Sequence, residues 1–249
     1  MDTRDGLLSG RVALVTGASS GLGERFARVL RDAGADVVMT ARREERLKQL
    51  ASELGSVAVA GDIASAAHRQ ALAAAVADRF GRLDILINNA GVCDDGPQED
   101  QTLSELETVI QVNLVAVLDL CRLVAPLLFA SNHASVINIA SIYGLVASRG
   151  PMAAYNSTKT ALVGLTRHLA AQWGPRRVRV NALAPGYFPS ELTGMLADPG
   201  FVAHIESQTL LARAPSIDEL DGPLLFLASG ASSYVTGHTL VVDGGWTCT

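Results

Sequence analysis

The stretch that decides the fold is VALVTGASSGLG at residues 12–23, near the start of the chain. It begins as a short apolar run and passes through a glycine-rich turn into a segment with the apolar spacing of a helix. Such a turn lets the backbone approach a pyrophosphate, and the helix N-terminus offers free N–H groups and a partial positive charge. A tight turn without a ligand is the other interpretation, but three glycines at the first junction of a βαβ unit favour nucleotide binding.

The same alternation of short apolar runs and longer helical patterns continues through all 249 residues. It predicts strands near 11–16, 36–40, 57–60, 83–88, 134–139, 178–183 and 238–242. It predicts helices near 21–33, 44–53, 65–79, 102–130, 153–173 and 218–228. The strand runs are almost uniformly apolar, so both of their faces should be covered, as in a parallel sheet. We therefore predict one α/β domain spanning 1–249, with a Rossmann-type, doubly wound parallel sheet of seven strands in three α/β/α layers.

One long segment, from residue 186 to about residue 216, has weak periodicity and is interrupted by prolines. Long irregular segments of compact domains are often lids. A substrate lid near 186–216 is therefore one interpretation, and a solvated surface connection is the other. The sequence leaves both open.

Charge and composition argue against several classes of function. The net charge of −5 and the pI near 5.5 disfavour a nucleic-acid surface, which needs clustered Lys and Arg. Cys93, Cys121 and Cys248 lack metal-ligand spacing, so no metal site is predicted and a reduced, cytoplasmic compartment is the simpler interpretation. The longest apolar region, 112–130, contains charged residues and a proline, so no membrane span is predicted.

Several polar residues follow predicted strands at the carboxyl edge of the sheet, where open α/β sheets bind ligands. Asp62 follows the third strand, and an Asn-Asn-Ala-Gly run at 88–91 ends the fourth. Singly, such residues are turn formers, so their weight comes from sharing one edge. Ser141, after the fifth strand, can donate to an oxygen that gains negative charge, although a helix cap is the commoner role.

Tyr155 and Lys159 lie four residues apart on a predicted helix, so their side chains leave the same face one turn apart. A phenol titrates near ~10 and needs a neighbouring cation to serve as an acid–base group at neutral pH. Lys159 is placed to supply that cation, and an incidental surface pair is the alternative. Asn113 lies inside an apolar helical run, where its amide needs a partner, either as a structural residue or as part of a water-holding relay.

Together these residues resemble the short-chain dehydrogenase/reductase family. The resemblance covers nearly the whole chain, and it rests on Thr-Gly-x-x-x-Gly-x-Gly at 16–23, Asn-Asn-Ala-Gly at 88–91, Asn113, Ser141, Tyr155-x-x-x-Lys159, Pro185-Gly186 and Asp243-Gly244-Gly245. It implies that Tyr155 donates or accepts the substrate proton and that Ser141 orients the substrate oxygen. It further implies that Lys159 binds a cofactor ribose and lowers the tyrosine pKa, while Asn113 holds a water that connects Lys159 to solvent.

The resemblance also implies a nicotinamide cofactor, with Asp62 at the adenine and Pro185-Gly186 at the nicotinamide. The predicted cofactor-binding residues are Gly17, Ser19, Ser20, Gly21, Leu22, Gly23, Arg42, Asp62, Ile63, Asn89, Ala90, Gly91, Tyr155, Lys159, Pro185, Gly186 and Phe188. Ser190 departs from the family pattern, because many members have threonine there. A contact with the nicotinamide carboxamide at this position is therefore open.

The end of the second strand bears on which nicotinamide cofactor is used. Ala41 stands where an acidic residue would bind the adenosine ribose and select NAD. Arg42 follows, and a guanidinium can bind a 2′-phosphate, with Ser19 and Ser20 as further donors. The sequence thus favours NADP(H) over NAD(H), whereas Arg42 and Arg43 as the solvated start of a helix are the alternative.

The sequence therefore predicts an NAD(P)(H)-dependent oxidoreductase that interconverts an alcohol and a ketone or aldehyde. A non-catalytic nucleotide-binding redox sensor and a dehydratase or epimerase of the same superfamily are the alternatives. The intact catalytic residues disfavour the first, and the absence of a larger C-terminal substrate domain disfavours the second. Two very apolar helical runs, 112–130 and 153–173, together with the family resemblance, predict a homotetramer.

The substrate is a small alcohol or carbonyl compound that the sequence does not specify further. Candidate pocket residues mix apolar and polar groups, so a sugar, a steroid and a simple ketone all remain open. These candidates are Val92, Cys93, Asp94, Ile142, Tyr143, Ala147, Arg149, Tyr187, Phe188, Leu192, Met195 and His204. Arg149 could meet an acidic substrate, or it is a solvated loop charge.

Overall fold

The computed structural model describes residues 6–94, 96–190 and 198–248. Within these ranges, one sheet has the strands β1 (Val12–Thr16), β2 (Asp36–Ala41), β3 (Val57–Ala60), β4 (Ile85–Asn88), β5 (Ser135–Ile139), β6 (Arg179–Pro185) and β7 (Thr239–Val242). The helices are α1 (Gly21–Asp32), α2 (Glu44–Leu54), α3 (Ala66–Phe80), α4 (Leu103–Ile110), α5 (Ala116–Phe129), α6 (Ala153–Trp173), α7 (Pro199–Gln208) and α8 (Asp221–Ala228). The seven predicted strands are confirmed to within about two residues at each end.

The strand order is β3-β2-β1-β4-β5-β6-β7, and all neighbouring strands are parallel. The chain moves outward from β1 to β3 and then returns to the other side of β1 as β4. This reversal opens a crevice at the carboxyl ends of β1 and β4, which is where doubly wound sheets bind ligands.

Both faces of the sheet are covered, as predicted from the apolar strand runs. Ala13 and Val15 of β1 belong to a core shared with α1 and α8. Val12 and Leu14, which point to the opposite face, belong to a second core shared with α3, α5 and α6. The doubly wound, three-layer fold is therefore confirmed.

The helix predicted at 102–130 is divided by a π-helical turn. α4 begins at a capping box, in which Thr102 and Glu105 each accept the other's backbone N–H. The π-helical turn Gln111–Val115, which is wider than an α-helical turn, separates α4 from α5. Asn113 within this turn is completely buried. An apolar pattern read at 3.6 residues per turn averages over such a bulge and predicts one continuous helix.

The stretch Leu103–Phe129 is long and apolar enough to cross a membrane by length and composition, and it is the one such stretch in the described ranges. It is nevertheless part of the fold, since α5 packs on α3 and α4 packs on α6. Asp119 of α5 accepts a hydrogen bond of 2.7 Å from Arg69 of α3. The absence of a membrane span stays a prediction.

The segment expected to be irregular contains α7. Asp198 caps this helix by accepting the Gly200 N–H at 3.0 Å, and Pro199 occupies its first turn. Within α7 only Ile205 is buried, so the helix leaves little apolar periodicity to detect. Leu192 and Met195, two of the predicted pocket residues, lie outside the described residues.

Candidate active site

A cleft of about 530 Å³ opens at the carboxyl edge of the sheet, a volume typical of small-molecule sites. It is lined by every residue predicted to bind the cofactor, and by Ser141 and Ser190. Asn113 is the one predicted site residue that lies behind the lining rather than in it. The predicted residues from seven separate segments are thus brought together at one place.

The glycine-rich turn is held close to both α1 and β4. A Cβ on Gly23 would lie 2.2 Å from the Gly17 carbonyl oxygen, so only glycine lets α1 pack this tightly against the turn. The Asn89 amide donates to the Thr16 carbonyl at 2.9 Å, and the Thr16 hydroxyl accepts the N–H groups of Asn89 and Ala90 at 3.0 Å each. The Asn89 side chain therefore shapes the nucleotide turn as well as lining the cleft.

Arg43, the residue after the predicted Arg42, contacts both serines of the turn. Arg43 Nε donates to Ser19 Oγ at 3.0 Å, and its Nη2 bonds Ser20 Oγ. Arg42 also lines the cleft, and no carboxylate stands at Ala41. A guanidinium and two hydroxyls thus form a donor set suited to a phosphate. Val92, a predicted pocket residue, also lines the cleft, and the lining residues that sequence reasoning missed include Thr40, Gly61, Val112, Ile139 and Ala140.

Asp62 combines the two roles left open by the sequence. Its Oδ1 accepts the Ala64 N–H at 2.9 Å, which forms the turn after β3. The same residue lines the cleft. Turn formation and ligand contact are therefore compatible at this position.

Lys159 is buried at the centre of the site, with 4% of its surface exposed. Its Nζ donates to the Ile139 carbonyl at 2.7 Å and lies 5.4 Å from the centre of the Tyr155 ring. Removal from water lowers the pKa of Lys159 to about 8. The lysine can therefore release and regain a proton near neutral pH.

Desolvation also raises the pKa of Tyr155 to about 12, and a hydrogen bond with Ser141 offsets only part of this effect. The expectation that Lys159 lowers the pKa of Tyr155 is not met in this structure. Loss of hydration is the largest influence on the pKa of the phenol. The spacing of four residues between Tyr155 and Lys159 does not predict how deeply the phenol is buried.

The Asn113 side chain is engaged by the protein on both sides of its amide. Its Oδ1 accepts the Val92 N–H at 2.9 Å, and its Nδ2 donates to the Val92 carbonyl at 2.8 Å and to Thr158 Oγ1 at 3.1 Å. These contacts match the first of the two interpretations of Asn113, a structural residue whose amide is hydrogen-bonded within the protein. A water held by this side chain would have to use the remaining lone pair of Oδ1.

Asp94 fixes the start of the helix that carries Tyr155. Its two carboxylate oxygens accept the N–H groups of Ala154, at 3.0 Å, and of Tyr155, at 2.8 Å. Gln101 Nε2 adds a longer contact of 3.4 Å to the same carboxylate. The loop after β4 is thereby attached to the first turn of α6.

Five of the other pocket candidates lie in three different places. Tyr143, Tyr187 and His204 join an aromatic cluster beside the cleft, and Phe188 lines the cleft itself. Arg149 lies in an exposed loop, which matches its interpretation as a solvated charge. No group of three potential metal ligands occurs among the residues in the described ranges.

Comparison with known proteins agrees with this geometry. A family model described as Enoyl-(Acyl carrier protein) reductase matches residues 17–247. A rhamnolipid-biosynthesis 3-oxoacyl-(acyl-carrier-protein) reductase of Pseudomonas aeruginosa is 36% identical over 248 residues, covering 96% of this chain and 97% of that protein. D-threitol dehydrogenase of Mycolicibacterium smegmatis is 36% identical over 245 residues, covering 96% of this chain and 94% of that protein.

A solved structure of similar shape carries a nicotinamide cofactor. It is a gluconate 5-dehydrogenase from Burkholderia cenocepacia in complex with NADP and tartrate, with a TM-score of 0.92, 36% identity and 99% of each chain covered. Sequence, fold and cleft thus agree over almost the full length of the chain. The chain therefore belongs to the short-chain dehydrogenase/reductase family of NAD(P)-dependent oxidoreductases.

Proposed function

We propose that the protein interconverts a small alcohol and the corresponding ketone or aldehyde, with Tyr155 as the acid–base residue. The observation that carries this proposal is the convergence of Ser141, Tyr155 and Lys159 on one cleft whose opposite end has a donor set for phosphate. A nicotinamide bound in the cleft supplies or accepts the hydride, and the protein supplies position and proton transfer.

Each of the three residues has a distinct task in carbonyl reduction. Because the pKa of Tyr155 is raised to about 12, its phenol is protonated at neutral pH and is a proton donor. Ser141, hydrogen-bonded to Tyr155, donates to the same substrate oxygen as negative charge develops on it.

Lys159 has two tasks, which are to bind the cofactor ribose and to return a proton to Tyr155. Among the described residues, the Ile139 carbonyl is the one protein acceptor within hydrogen-bond distance of its Nζ. Two further N–H groups are therefore available for ribose hydroxyls in the cleft. With a pKa of about 8, the ammonium can also return a proton to the phenol after turnover.

The test is Tyr155→Phe, assayed with NADPH and a panel of ketones and aldehydes. We expect kcat to fall by about 10²–10⁴-fold, because the proton donor is lost and little packing changes. The affinity for NADPH, measured by fluorescence titration, should be unchanged. Tyr234→Phe is the matched control, since Tyr234 is fully exposed. Near-normal turnover by Tyr155→Phe would refute the assigned mechanism.

NADP(H) is the proposed cofactor in preference to NAD(H). Arg43 with Ser19 and Ser20 offers donors for a 2′-phosphate, and Ala41 leaves out the acid that would repel it. Arg43→Ala should raise the KM for NADPH by about 10–100-fold with little effect on NADH, as expected for a lost charged hydrogen bond. Arg42→Ala removes the same charge and is the direct comparison. If Arg42→Ala raises the KM for NADPH more than Arg43→Ala does, Arg42 rather than Arg43 binds the 2′-phosphate.

A homotetramer is the proposed assembly. Ile110, Val115 and Leu118 are exposed along one side of α4 and α5, and exposed apolar patches are characteristic of interfaces. Light scattering at micromolar concentration should give a mass about four times 26.1 kDa. A monomeric mass would contradict this assembly.

A further inference from the structure

His68 is a half-buried histidine in the first turn of α3 that the proposed mechanism does not use. Its backbone N–H donates to the capping hydroxyl of Ser65 at 3.3 Å. Its Nε2 and the hydroxyl of Thr40, a buried residue close to the end of β2, are hydrogen-bonded at 2.8 Å. The imidazole is therefore held by both the helix and the sheet.

The imidazole also occupies the place that a side chain at residue 61 would take. A Cβ on Gly61 would lie 2.2 Å from Nδ1 and 2.4 Å from Cε1 of His68. Close packing excludes an atom at these distances, and the ring cannot move aside without losing its hydrogen bond to Thr40. His68 therefore requires glycine at residue 61, and its ring packs where that side chain would begin.

Thr40 and Gly61 both line the cleft, on the side of Arg43 and Asp62. The Gly61 N–H donates to the Ala41 carbonyl at 3.0 Å, which joins the end of β3 to the end of β2. His68 contacts one residue at each of these two strand ends and lies behind both of them. The shape of this part of the cleft therefore depends on the imidazole.

The next residue, Arg69, holds the loop that follows Gly61. Arg69 is buried, and its Nη1 donates to the carbonyls of Ile63 and Ala64 at 2.7 and 2.8 Å. Its Nε donates to Asp119 of α5 at 2.7 Å. These bonds do not involve the His68 side chain, so a substitution of His68 should change the cleft wall and leave the loop attached.

The imidazole is uncharged at mildly alkaline pH. Burial lowers the pKa of His68, the nearby Arg69 cation lowers it further, and the Asp62 carboxylate opposes both effects only in part. A neutral ring does not distinguish a ribose with a 2′-phosphate from one without it. His68 is therefore suited to the part of the cofactor that NADPH and NADH share, whereas the charged Arg43 is suited to the phosphate.

We propose that His68 is a positioning residue for the adenosine half of the cofactor and that it acts through Thr40 and Gly61. Its ring fixes the ends of β2 and β3 as a wall for the adenine. This inference rests on the proposed function, because it takes the cleft to be the site of a nicotinamide dinucleotide.

The experiment measures the binding of NADPH, NADH and adenosine 2′,5′-bisphosphate at pH 8 by isothermal titration calorimetry. The bisphosphate contains the adenosine and lacks the nicotinamide, so its Kd is independent of catalysis. His68→Ala should raise the Kd of all three compounds by about five- to tenfold, as expected for the loss of one hydrogen bond. The kcat at saturating NADPH should be unchanged, because the ring contacts Thr40 and Gly61 rather than the catalytic residues.

A second substitution tests the packing of the ring on Gly61. Gly61→Ala alone should also raise the Kd of NADPH by about five- to tenfold, because the added methyl group displaces the ring from Thr40. In His68→Ala the methyl group has room, so the double variant His68→Ala/Gly61→Ala should bind NADPH at least as tightly as His68→Ala.

Two further variants separate the hydrogen bond from a general loss of structure. His68→Gln keeps an amide that can bond to Thr40, so it should retain part of the affinity. His133→Ala is the control, since His133 is exposed and precedes β5 at the opposite edge of the sheet. Thermal denaturation of each variant establishes that it is folded.

Unchanged Kd values in His68→Ala overturn the inference. A loss confined to NADPH does so too, because His68 would then serve the phosphate, and so do additive effects of His68→Ala and Gly61→Ala. In those cases the proposed function still stands if Tyr155→Phe abolishes turnover. Retained turnover in Tyr155→Phe would instead refute the proposed function, whatever the Kd values of the His68 variants.

Discussion

Lys159, which is buried, and Arg179, which is half-buried, are two cations at opposite edges of the same sheet. Lys159, at the carboxyl edge, has one acceptor within the described part of the chain, the Ile139 carbonyl. Arg179, at the start of β6, donates to Ser232 Oγ at 2.6 Å and to the carbonyls of Leu227 and Ser229 at 3.0 and 3.1 Å. Burial lowers the pKa of both, to about 8 for the lysine and about 10 for the arginine.

The difference lies in what the remaining donors do. Arg179 uses its guanidinium on carbonyls at the C-terminal end of α8, where a positive charge also favours the helix dipole. Lys159 leaves N–H groups directed at a cleft. A lowered pKa is therefore common to both sites, and unused hydrogen-bonding capacity distinguishes Lys159, proposed to be functional, from the structural Arg179.

Replacing each cation by methionine breaks this comparison most directly. Lys159→Met should lower kcat/KM by at least about 10²-fold. Its melting temperature should be unchanged or higher, because a desolvated charge is removed. Arg179→Met should lower the free energy of unfolding by about 2–4 kcal/mol, because carbonyls and Ser232 lose their donor.

Initial rates and thermal denaturation of the two variants give the answer. The folded Arg179→Met protein should keep wild-type activity. A loss of activity in Arg179→Met, or a loss of stability confined to Lys159→Met, would reverse the two assignments.

A smaller loss of kcat is expected when Asp94, whose carboxylate holds the first turn of α6, is replaced. Asp94→Ala frees the first turn of α6, so we expect kcat to fall by about tenfold with the KM for NADPH unchanged. Asp198→Ala is the control, because the Asp198 carboxylate accepts a backbone N–H in the first turn of a different helix, α7. Both variants should lose about 1 kcal/mol of stability.

Only Asp94→Ala should lose kcat, and Asp94→Asn, which keeps one acceptor oxygen, should restore part of it. Equal kcat values in Asp94→Ala and Asp198→Ala would show that Asp94 contributes to stability but not to the positioning of Tyr155.

The sequence predicts the fold well because the fold depends on apolar spacing. The helix predicted at 153–173 has these bounds in the structure, as expected for a long periodic segment. The strand runs are buried on both faces, and their composition shows this directly. The π-helical turn at Asn113 escapes detection, since one extra residue does not change the average period.

The site was predictable as a set of positions but not as a set of interactions. Motif spacing brings the right residues to the cleft, because parallel strands end at one edge. Spacing does not tell whether Arg42 or Arg43 turns toward Ser19, since that depends on the backbone at the start of α2. The raised pKa of Tyr155 depends on tertiary burial, which no pair of residues encodes by itself.

The last prediction concerns how the cost of keeping Lys159 buried changes the free energy of unfolding with pH. Its pKa is lowered from 10.5 to about 8, so between these pH values the unfolded chain holds the proton and the folded protein does not. The unfolded state then binds more protons, and the free energy of unfolding gains a contribution that rises with pH, by about 1.4 kcal/mol for each pKa unit of the shift. Below pH 8 both states are protonated, and the burial cost is present in full.

Other groups titrate in the same window, so the difference between variants is what matters. The chain has one other lysine, Lys48, which is exposed and paired with Glu44. Chemical denaturation of wild type, Lys159→Met and Lys48→Met from pH 7 to pH 10 should show the rise with pH in the first and third proteins and its loss in the second. If the free energy of unfolding of Lys159→Met depends on pH as strongly as that of the wild type, Lys159 is not desolvated in solution. Water would then be a hydrogen-bond partner of the lysine, and the proposed difference between Lys159 and Arg179 would be wrong.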